Sequence, residues 1–232
     1  MENGMVAKNK GKKLFLVLVT VLIVSSAIAQ EGITPNGMYS LVGVSLNRVN
    51  YANNKCDLLT TECHSGYGGF GLNLSYQAIP NLIVGLRTMG GQDRMTNTTI
   101  RESQGGVYIG FVMGVGDDLD IGGLISPISK HVESCLGSLC GSADESGNNV
   151  EFFGKWWLNN DKTFHLGLTL DSYAYANGTT NPGGETRYHS TGLSMGYLIG
   201  GHHELSWHGS RLKDVNGNDA STTGSLDYNY HF

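Results

Sequence analysis

A histidine and a serine two residues apart, His208 and Ser210, form the pair in this sequence that is best suited to nucleophilic chemistry. An imidazole next to a hydroxyl can act as its general base when a carboxylate orients the ring. The first acidic residue downstream is Asp214, and Arg211 directly follows the serine. The spacing therefore predicts a candidate hydrolytic site, with His208 as the base and Ser210 as the nucleophile.

This His-x-Ser spacing resembles that of the membrane lipid A deacylases, which carry such a pair on a late strand of a β-barrel. In that family an Asn follows the serine, where this chain has Arg211, and the site faces lipid. Here the alternation of side chains places His208 toward the inside of a barrel. A ten-stranded barrel also resembles the omptin surface proteases, but their paired acidic motif is missing from this chain. The resemblances imply a lipid- or peptide-processing hydrolase as an alternative to a non-enzymatic role.

Three other motifs match ligand-binding patterns only in part. The run Gly66–Gly71 fits G-x-G-x-x-G, but it precedes a strand pattern and opens no helix, so it does not cradle a phosphate. Residues 214–219 resemble the start of a calcium loop, but Asp219 stands where glycine is required and Ser225 replaces the bidentate glutamate. The dipeptide His202-His203 lies at a short turn, which favours an interfacial position. We therefore predict no cofactor and no metal site.

The four cysteines form two close pairs, Cys56 with Cys63 and Cys135 with Cys140. Four cysteines allow three connectivities, of which pairing within each segment is the simplest. Neither pair has the two-residue spacing of a zinc knuckle. We predict disulfides that brace surface loops after export, because such bonds persist in oxidising compartments.

A period-two alternation of apolar and polar residues is the dominant pattern along the chain. It is clearest over residues 70–78, and it predicts strands with one apolar and one polar face. We predict ten strands of about ten residues, with eight or twelve as alternatives, the first covering Met38–Val49. Short turns alternate with longer polar segments, which we interpret as loops: Tyr51–Ser65, Gly90–Ser103, His131–Asn148, Asn177–Glu185 and Lys213–Thr222.

The last residues of the sequence repeat this alternation with aromatic side chains. The apolar face carries Leu226, Tyr228, Tyr230 and Phe232. This stretch resembles the C-terminal strand of bacterial outer-membrane β-barrel proteins, which ends in Phe and which the barrel-assembly machinery reads. The resemblance implies an all-β fold, a transmembrane antiparallel up-and-down barrel, and placement in the outer membrane among lipid and lipopolysaccharide.

The start of the sequence predicts export. Four lysines precede the uncharged apolar run Leu14–Val24, and small residues in an Ala-x-Ala pattern end at Ala29. The run is shorter than the ~20 residues that a spanning helix needs. We predict a signal peptide over residues 1–29 and one barrel domain over residues 30–232. The mature chain would keep 11 basic and 19 acidic residues, a net charge of −8, which argues against a nucleic-acid partner.

Ionisable residues at inward positions are predicted to form a polar network in the lumen. A barrel of this size has a narrow interior that side chains can largely fill, so ion pairing is favoured over a selective pore. The predicted members are Arg87, Asp120, Glu151, Lys155, His165, Asp171, Glu204, His208, Asp227 and His231.

The leading functional prediction is a non-enzymatic surface protein with an adhesive or envelope-structural role. In architecture the chain resembles the small opacity- and adhesin-type barrels, whose extracellular loops carry the function. The predicted partners are ligands on host or neighbouring-cell surfaces. A narrow small-solute channel is the first alternative, and an outer-membrane hydrolase is the second.

Overall fold

The computed structural model describes residues 35–56, 62–176 and 185–232. In these residues ten strands form one closed antiparallel sheet, in which each strand pairs with its neighbours in the chain and β1 pairs with β10. The strands are β1 (Leu41–Cys56), β2 (Cys63–Ile79), β3 (Leu82–Arg94), β4 (Thr98–Val115), β5 (Leu119–Leu136), β6 (Leu139–Trp157), β7 (Phe164–Ala176), β8 (Glu185–Ile199), β9 (His203–Asp214) and β10 (Asp219–His231). The predicted ten-stranded up-and-down barrel is confirmed. The predicted signal peptide, with its cleavage after Ala29, lies outside the described residues.

The outer wall of the barrel carries an apolar belt. Outward Phe70 exposes 73% of its surface, whereas inward Val112 exposes none, so the apolar alternation points away from the interior. Because closure pairs every strand, the belt leaves no open sheet edge, as lipid requires. Aromatic side chains cluster on the outer wall near the short-turn end, as in the interfacial girdles of membrane barrels. They are Tyr76, Trp156, Tyr197, Trp207, Tyr228 and Tyr230.

Short turns join the strands at one end of the barrel. The turn between β8 and β9 contains Gly200 and Gly201, whose φ angles of 60° and 78° lie in the left-handed region that glycine adopts without steric cost. In membrane barrels such short turns face the periplasm, and the opposite end faces outward from the cell. The part of the chain that the structure describes contains no helix long and apolar enough to cross a membrane.

At the opposite end, most of the segments predicted as loops are continuations of strands. Within the predicted loop Gly90–Ser103, β3 runs to Arg94 and β4 begins at Thr98. Within His131–Asn148, β5 and β6 continue until only two residues separate them. The predicted loops were wrong here because, above the lipid, the outer face of a strand contacts water and needs no apolar side chains. The strand therefore loses the apolar alternation while its backbone hydrogen bonds persist.

The same correction applies to two further segments. Within Tyr51–Ser65, β1 reaches Cys56 and β2 begins at Cys63, and within Lys213–Thr222, β10 begins at Asp219. The first strand begins at Leu41, later than the predicted Met38. Most of the predicted loop Asn177–Glu185 lies outside the described residues. The strands are 12 to 19 residues long, so their outer parts form a wall that rises beyond the apolar belt.

An apolar cluster fills one side of the lumen, a feature that the sequence analysis did not predict. Ile83, Tyr108, Val112 and Leu124 are buried against one another on β3, β4 and β5, and Tyr39 and Phe153 pack against them. These residues occupy the inward positions that a water-filled pore would give to polar side chains. The barrel interior therefore contains a packed core as well as a polar network.

Candidate functional site

The periplasmic end of the lumen is organised around Asp120. Its carboxylate accepts hydrogen bonds from the backbone N–H groups of Asn36 and Gly37, from the Tyr39 hydroxyl at 2.9 Å, and from Trp157 Nε1 at 3.1 Å. Asp120 is fully buried. A carboxylate with four donors is well satisfied away from water, so Asp120 ties the segment before β1 across the mouth of the barrel. We call residues 36–39 the strap.

Glu204 forms a second buried centre next to the strap. Its carboxylate lies 2.8 Å from His231 Nε2, 3.4 Å from His165 Nε2 and 3.7 Å from Lys155 Nζ. Seven residues with inward side chains at this end each expose at most 4% of their surface, so water from the lumen or the periplasm hardly reaches them: Ile83, Val112, Asp120, Trp157, His165, Glu204 and His231. Together with the strap they form what we call the periplasmic plug.

The middle of the lumen holds the remaining members of the predicted network. Arg87 Nη1 donates a hydrogen bond to Glu151 over 3.0 Å. Asp171 accepts one from the Asn149 amide at 3.2 Å, and Asp227 accepts one from the Ser225 hydroxyl at 3.0 Å. The ten predicted residues thus lie in two regions, one in the plug and one above it, and His208 makes no hydrogen bond to another member of the network among the described residues. The plug group is built from the two centres of Asp120 and Glu204.

The structure does not assemble a catalytic site around His208 and Ser210. Both side chains face the lumen from β9, where His208 lies opposite Ser194 and Ser225. Asp214, the predicted orienting acid, instead accepts hydrogen bonds from the backbone N–H groups of Asn216 and Asn218 within its own hairpin. Within residues 35–56, 62–176 and 185–232, no hydrogen bond joins His208 to Ser210 or to a carboxylate.

Two disulfides close hairpin tips at the extracellular end. Cys56 bonds Cys63 across β1 and β2, and Cys135 bonds Cys140 across β5 and β6. Both pairs are the local ones predicted from the sequence. The carboxylate of Glu133 lies near the second pair, but because both sulfurs are oxidised they offer no thiolate to a metal.

A carboxylate–imidazole–hydroxyl arrangement, which sequence reasoning missed, lies at the extracellular rim. His64 Nδ1 is 2.8 Å from Asp93, and its Nε2 is 2.9 Å from the Thr98 hydroxyl. The hydroxyl proton is donated to Glu62 over 2.6 Å, so Thr98 must accept from His64 rather than donate to it. Thr98 is also only 2% exposed. The arrangement is therefore a structural junction of three strands and not a nucleophile with its base.

Glu102 forms a second junction at the rim. It accepts hydrogen bonds from Tyr51 and Lys55, and Lys130 lies 3.6 Å away. Burial alone would raise the pKa of Glu102, but the charges of Lys130 and Lys55 and the hydrogen bonds outweigh it and hold this pKa below its ordinary value. Glu102 therefore stays ionised and links β1, β4 and β5 across the mouth.

No protein-family model and no curated protein matches the sequence. Solved structures match the fold. An outer-membrane channel from Pseudomonas putida F1 aligns with 86% of this chain and 98% of its own, at 10% identity and a TM-score of 0.50. The NanC porin aligns with 82% of this chain and 100% of its own, at 9% identity and a TM-score of 0.46. Ail, the attachment invasion locus protein of Yersinia pestis, aligns with 84% and 99%, at 12% identity and a TM-score of 0.41.

The protein is an outer-membrane β-barrel. Its closed sheet, its outward apolar belt and its interfacial aromatic residues require this lipid environment, and the fold is that of the aligned outer-membrane channel.

The outer-membrane barrel presents an apolar side chain at the tip of its tallest hairpin. Leu139 follows the β5–β6 turn and is 75% exposed, although the two cysteines that flank this turn are joined. Leu139 therefore exposes an apolar side chain to water on a turn whose motion the disulfide restricts. Gly137 N–H donates to the Asn97 carbonyl over 2.9 Å, which connects this tip to the β3–β4 tip.

Proposed function

We propose that this outer-membrane barrel is a non-enzymatic surface-interaction protein whose extracellular hairpin tips bind a partner on a host, matrix or neighbouring-cell surface. The observation that carries the proposal is the exposure of Leu139 on a disulfide-braced tip. An apolar side chain presented on a rigid support loses little conformational entropy on binding, so more of the free energy of burying it contributes to affinity.

The rigidity of the tips supports this proposal. Glu62 accepts hydrogen bonds from the backbone and side chain of Asn97, and Asn97 in turn accepts from Gly137. These hydrogen bonds join three hairpin tips, two of which are each closed by a disulfide. We call residues 62–64, 95–98 and 135–140 the tip platform. A platform of this kind offers a preorganised surface to a partner.

The filled lumen also supports a role at the surface over transport. The seven barrel residues of the periplasmic plug each expose at most 4% of their surface, and the strap crosses the same end of the barrel. A conducting pore needs a continuous water path, which side chains packed in this way do not provide. We expect the purified barrel to be electrically silent in a planar bilayer.

Binding of whole cells tests the proposal. Cells that display the wild-type barrel should adhere to a host or neighbouring-cell layer, and Leu139→Ser should reduce this adhesion about tenfold, the effect of losing one buried apolar anchor. Val215→Ser is the matched control, because Val215 is 59% exposed at the β9–β10 tip, outside the platform. Equal adhesion of wild-type and Leu139→Ser cells, at equal surface display, would remove the tip platform as the binding surface.

A further inference from the structure

The outer wall of the barrel carries a group of cations where the apolar belt ends. Arg48 lies on β1, and Arg211 and Lys213 lie on β9, all at outward positions that alternate in step with the belt. Arg211 is eight residues beyond the start of β9 at His203, about 21 Å up the wall at ~3.4 Å per residue and a ~40° tilt. Because the apolar band of a membrane barrel is about 25 Å tall, Arg211 lies near its extracellular edge and Lys213 lies just beyond. We call Arg48, Arg211 and Lys213 the basic patch.

The strand register places these three cations close together. Arg211 on β9 is opposite Thr222 on β10, which is opposite Asn50 on β1. Two strand spacings, about 10 Å, separate β9 from β1. Arg48 Nε donates to the Asn50 side chain over 3.2 Å, which directs the guanidinium toward this row. Lys213 follows Arg211 on the same face, about 7 Å along the strand, so one lipid headgroup can contact all three side chains.

The acidic residues around the basic patch do not neutralise it. Asp219 accepts a hydrogen bond from Arg211 Nε over 2.7 Å and is opposite Lys213 in the register. Asp214, the other acid of this hairpin, accepts instead from backbone N–H groups within the hairpin. Three cations and the single carboxylate of Asp219 thus leave the outer face two positive charges in excess. The outer end of β8 adds one residue of each sign, Glu185 and Arg187.

Lys213 supplies unused donors to the patch. Within the part of the chain that the structure describes, it makes no hydrogen bond and no direct ion pair. Its ammonium group carries three donors, which are open to an acceptor at the membrane surface.

The basic patch adjoins an apolar surface that lipid covers. Gly224 on β10 is opposite Arg48, and a Cβ added there would meet no atom within 4 Å, so the wall is recessed at this point. In the next row toward the periplasm, Leu46 and Leu226 are opposite one another and exposed. The surface therefore presents cations above apolar side chains, the order in which a lipid of the extracellular leaflet presents its headgroup and its acyl chains.

We propose that the basic patch binds a phosphate group of lipid A, the phosphorylated lipid of lipopolysaccharide in the extracellular leaflet. Arg48, Arg211 and Lys213 donate to the phosphate oxygens, which are strong acceptors for guanidinium and ammonium groups. A phosphate monoester carries roughly two negative charges at neutral pH, which matches the two excess positive charges of the patch. An acyl chain lies in the recess at Gly224 and packs against Leu46. This inference concerns the outer wall and does not depend on what the tip platform binds.

Lipid A binding to the purified barrel tests this site. The protein in detergent, with EDTA present to remove bridging divalent cations, is titrated with diphosphoryl lipid A or with enzymatically dephosphorylated lipid A and followed by native mass spectrometry. We expect saturable binding of the phosphorylated lipid, and binding of the dephosphorylated lipid at least about tenfold weaker, the loss of charge-assisted contacts. Arg211→Gln and Lys213→Gln should each weaken binding by a similar factor.

Arg101→Gln is the matched control and should leave binding unchanged. The side chains of Arg101 and Arg211 are both 56% exposed, and each pairs with one carboxylate, but Arg101 lies on the opposite wall, where Glu133 neutralises it. Lys213→Gln breaks no hydrogen bond among the described residues, so it separates a loss of binding from a loss of fold. Heat-modifiable gel mobility shows that each variant is folded.

Three results would overturn the proposal. The first is equal binding of phosphorylated and dephosphorylated lipid A. The second is unchanged binding of lipid A in folded Arg211→Gln and Lys213→Gln. The third is binding of phosphatidylglycerol as tight as that of lipid A, because its phosphodiester carries a single negative charge and the patch would then not select a lipid A phosphate.

Discussion

The hydroxyl of Thr98 lies between His64, at 2.9 Å, and Glu62, at 2.6 Å, and it accepts from the first and donates to the second. On the other side of the ring, His64 Nδ1 lies 2.8 Å from Asp93. The junction thus links the imidazole directly to one carboxylate and, through the Thr98 hydroxyl, to a second one at the extracellular rim. A contact geometry that elsewhere activates a nucleophile serves here to hold strands β2, β3 and β4 together.

The first prediction concerns this junction. Thr98→Val keeps the shape of the side chain but leaves His64 and Glu62 without their shared partner. We expect the tip platform to be destabilised by about 1–3 kcal/mol, the range for a buried hydrogen-bonded group left unpaired. Thr99→Val, one residue along the same strand, is the matched control. Limited proteolysis of displayed barrels measures the effect, and equal cleavage rates of the two variants would contradict it.

The second prediction concerns pH. Because the folded pKa of Glu102 lies below its ordinary value of 4.5, the unfolded chain binds a proton first as the pH falls. The stabilisation by Glu102 is therefore complete above about pH 4.5 and is lost as the pH drops through the lower folded pKa. Hydrogen exchange of β4 tip amides between pH 6 and pH 3 should show this loss. Glu102→Gln should remove this component of the pH dependence, and an unaltered profile in that variant would count against the junction.

Much of the fold could be predicted from the alternation of apolar and polar residues, whereas the contacts of the site could not. The period of two correctly places Phe70 on the outer face and Asp120 on the inner face, because lipid requires apolar side chains on the outside of the belt. The extension from Gly90 to Arg94 carries no such pattern, since its outer face contacts water and not lipid. The partners of Asp120 come from Asn36, 84 residues away, and from across the lumen. Such contacts depend on how inward side chains meet at the axis, which no spacing in the sequence encodes.

The third prediction concerns the disulfides. Replacing Cys135 and Cys140 together by serine should leave the barrel assembled, because its strands pair over their whole length without the bond. The β5–β6 tip should lose about 2 kcal/mol of local stability, the chain-entropy value for so short a loop. Heat-modifiable mobility should be unchanged while protease cleavage near Leu139 increases. A variant that fails to assemble would show that the bond is needed for folding and not only for the tip.

The fourth prediction concerns the hydrolase alternative. His208 has no carboxylate partner by hydrogen bond in the described residues, and Asp214 is engaged within its own hairpin. We therefore expect the lipid A profile of cells that produce His208→Ala to equal that of wild-type cells. Mass spectrometry of extracted lipid A makes the comparison, with a strain lacking the protein as a reference. A profile that changes on deletion and again with His208→Ala would establish the enzyme.

The fifth prediction concerns the periplasmic plug. Asp120→Ala removes the common acceptor of the strap and Trp157, so several buried donors lose their partner at once. Leaving such donors unpaired costs about 1–3 kcal/mol each, and the strap should detach from the mouth. Wild-type protein should be silent in a planar bilayer, whereas Asp120→Ala should show discrete conductance steps, because the lumen above the plug is open enough to leave the inward Arg87 side chain 53% exposed. Asp117→Ala, in the neighbouring turn, is the control and should remain silent.

Conductance in wild-type protein would mean that the plug does not close the lumen. A folded but silent Asp120→Ala would mean that the other plug residues close the lumen without the strap.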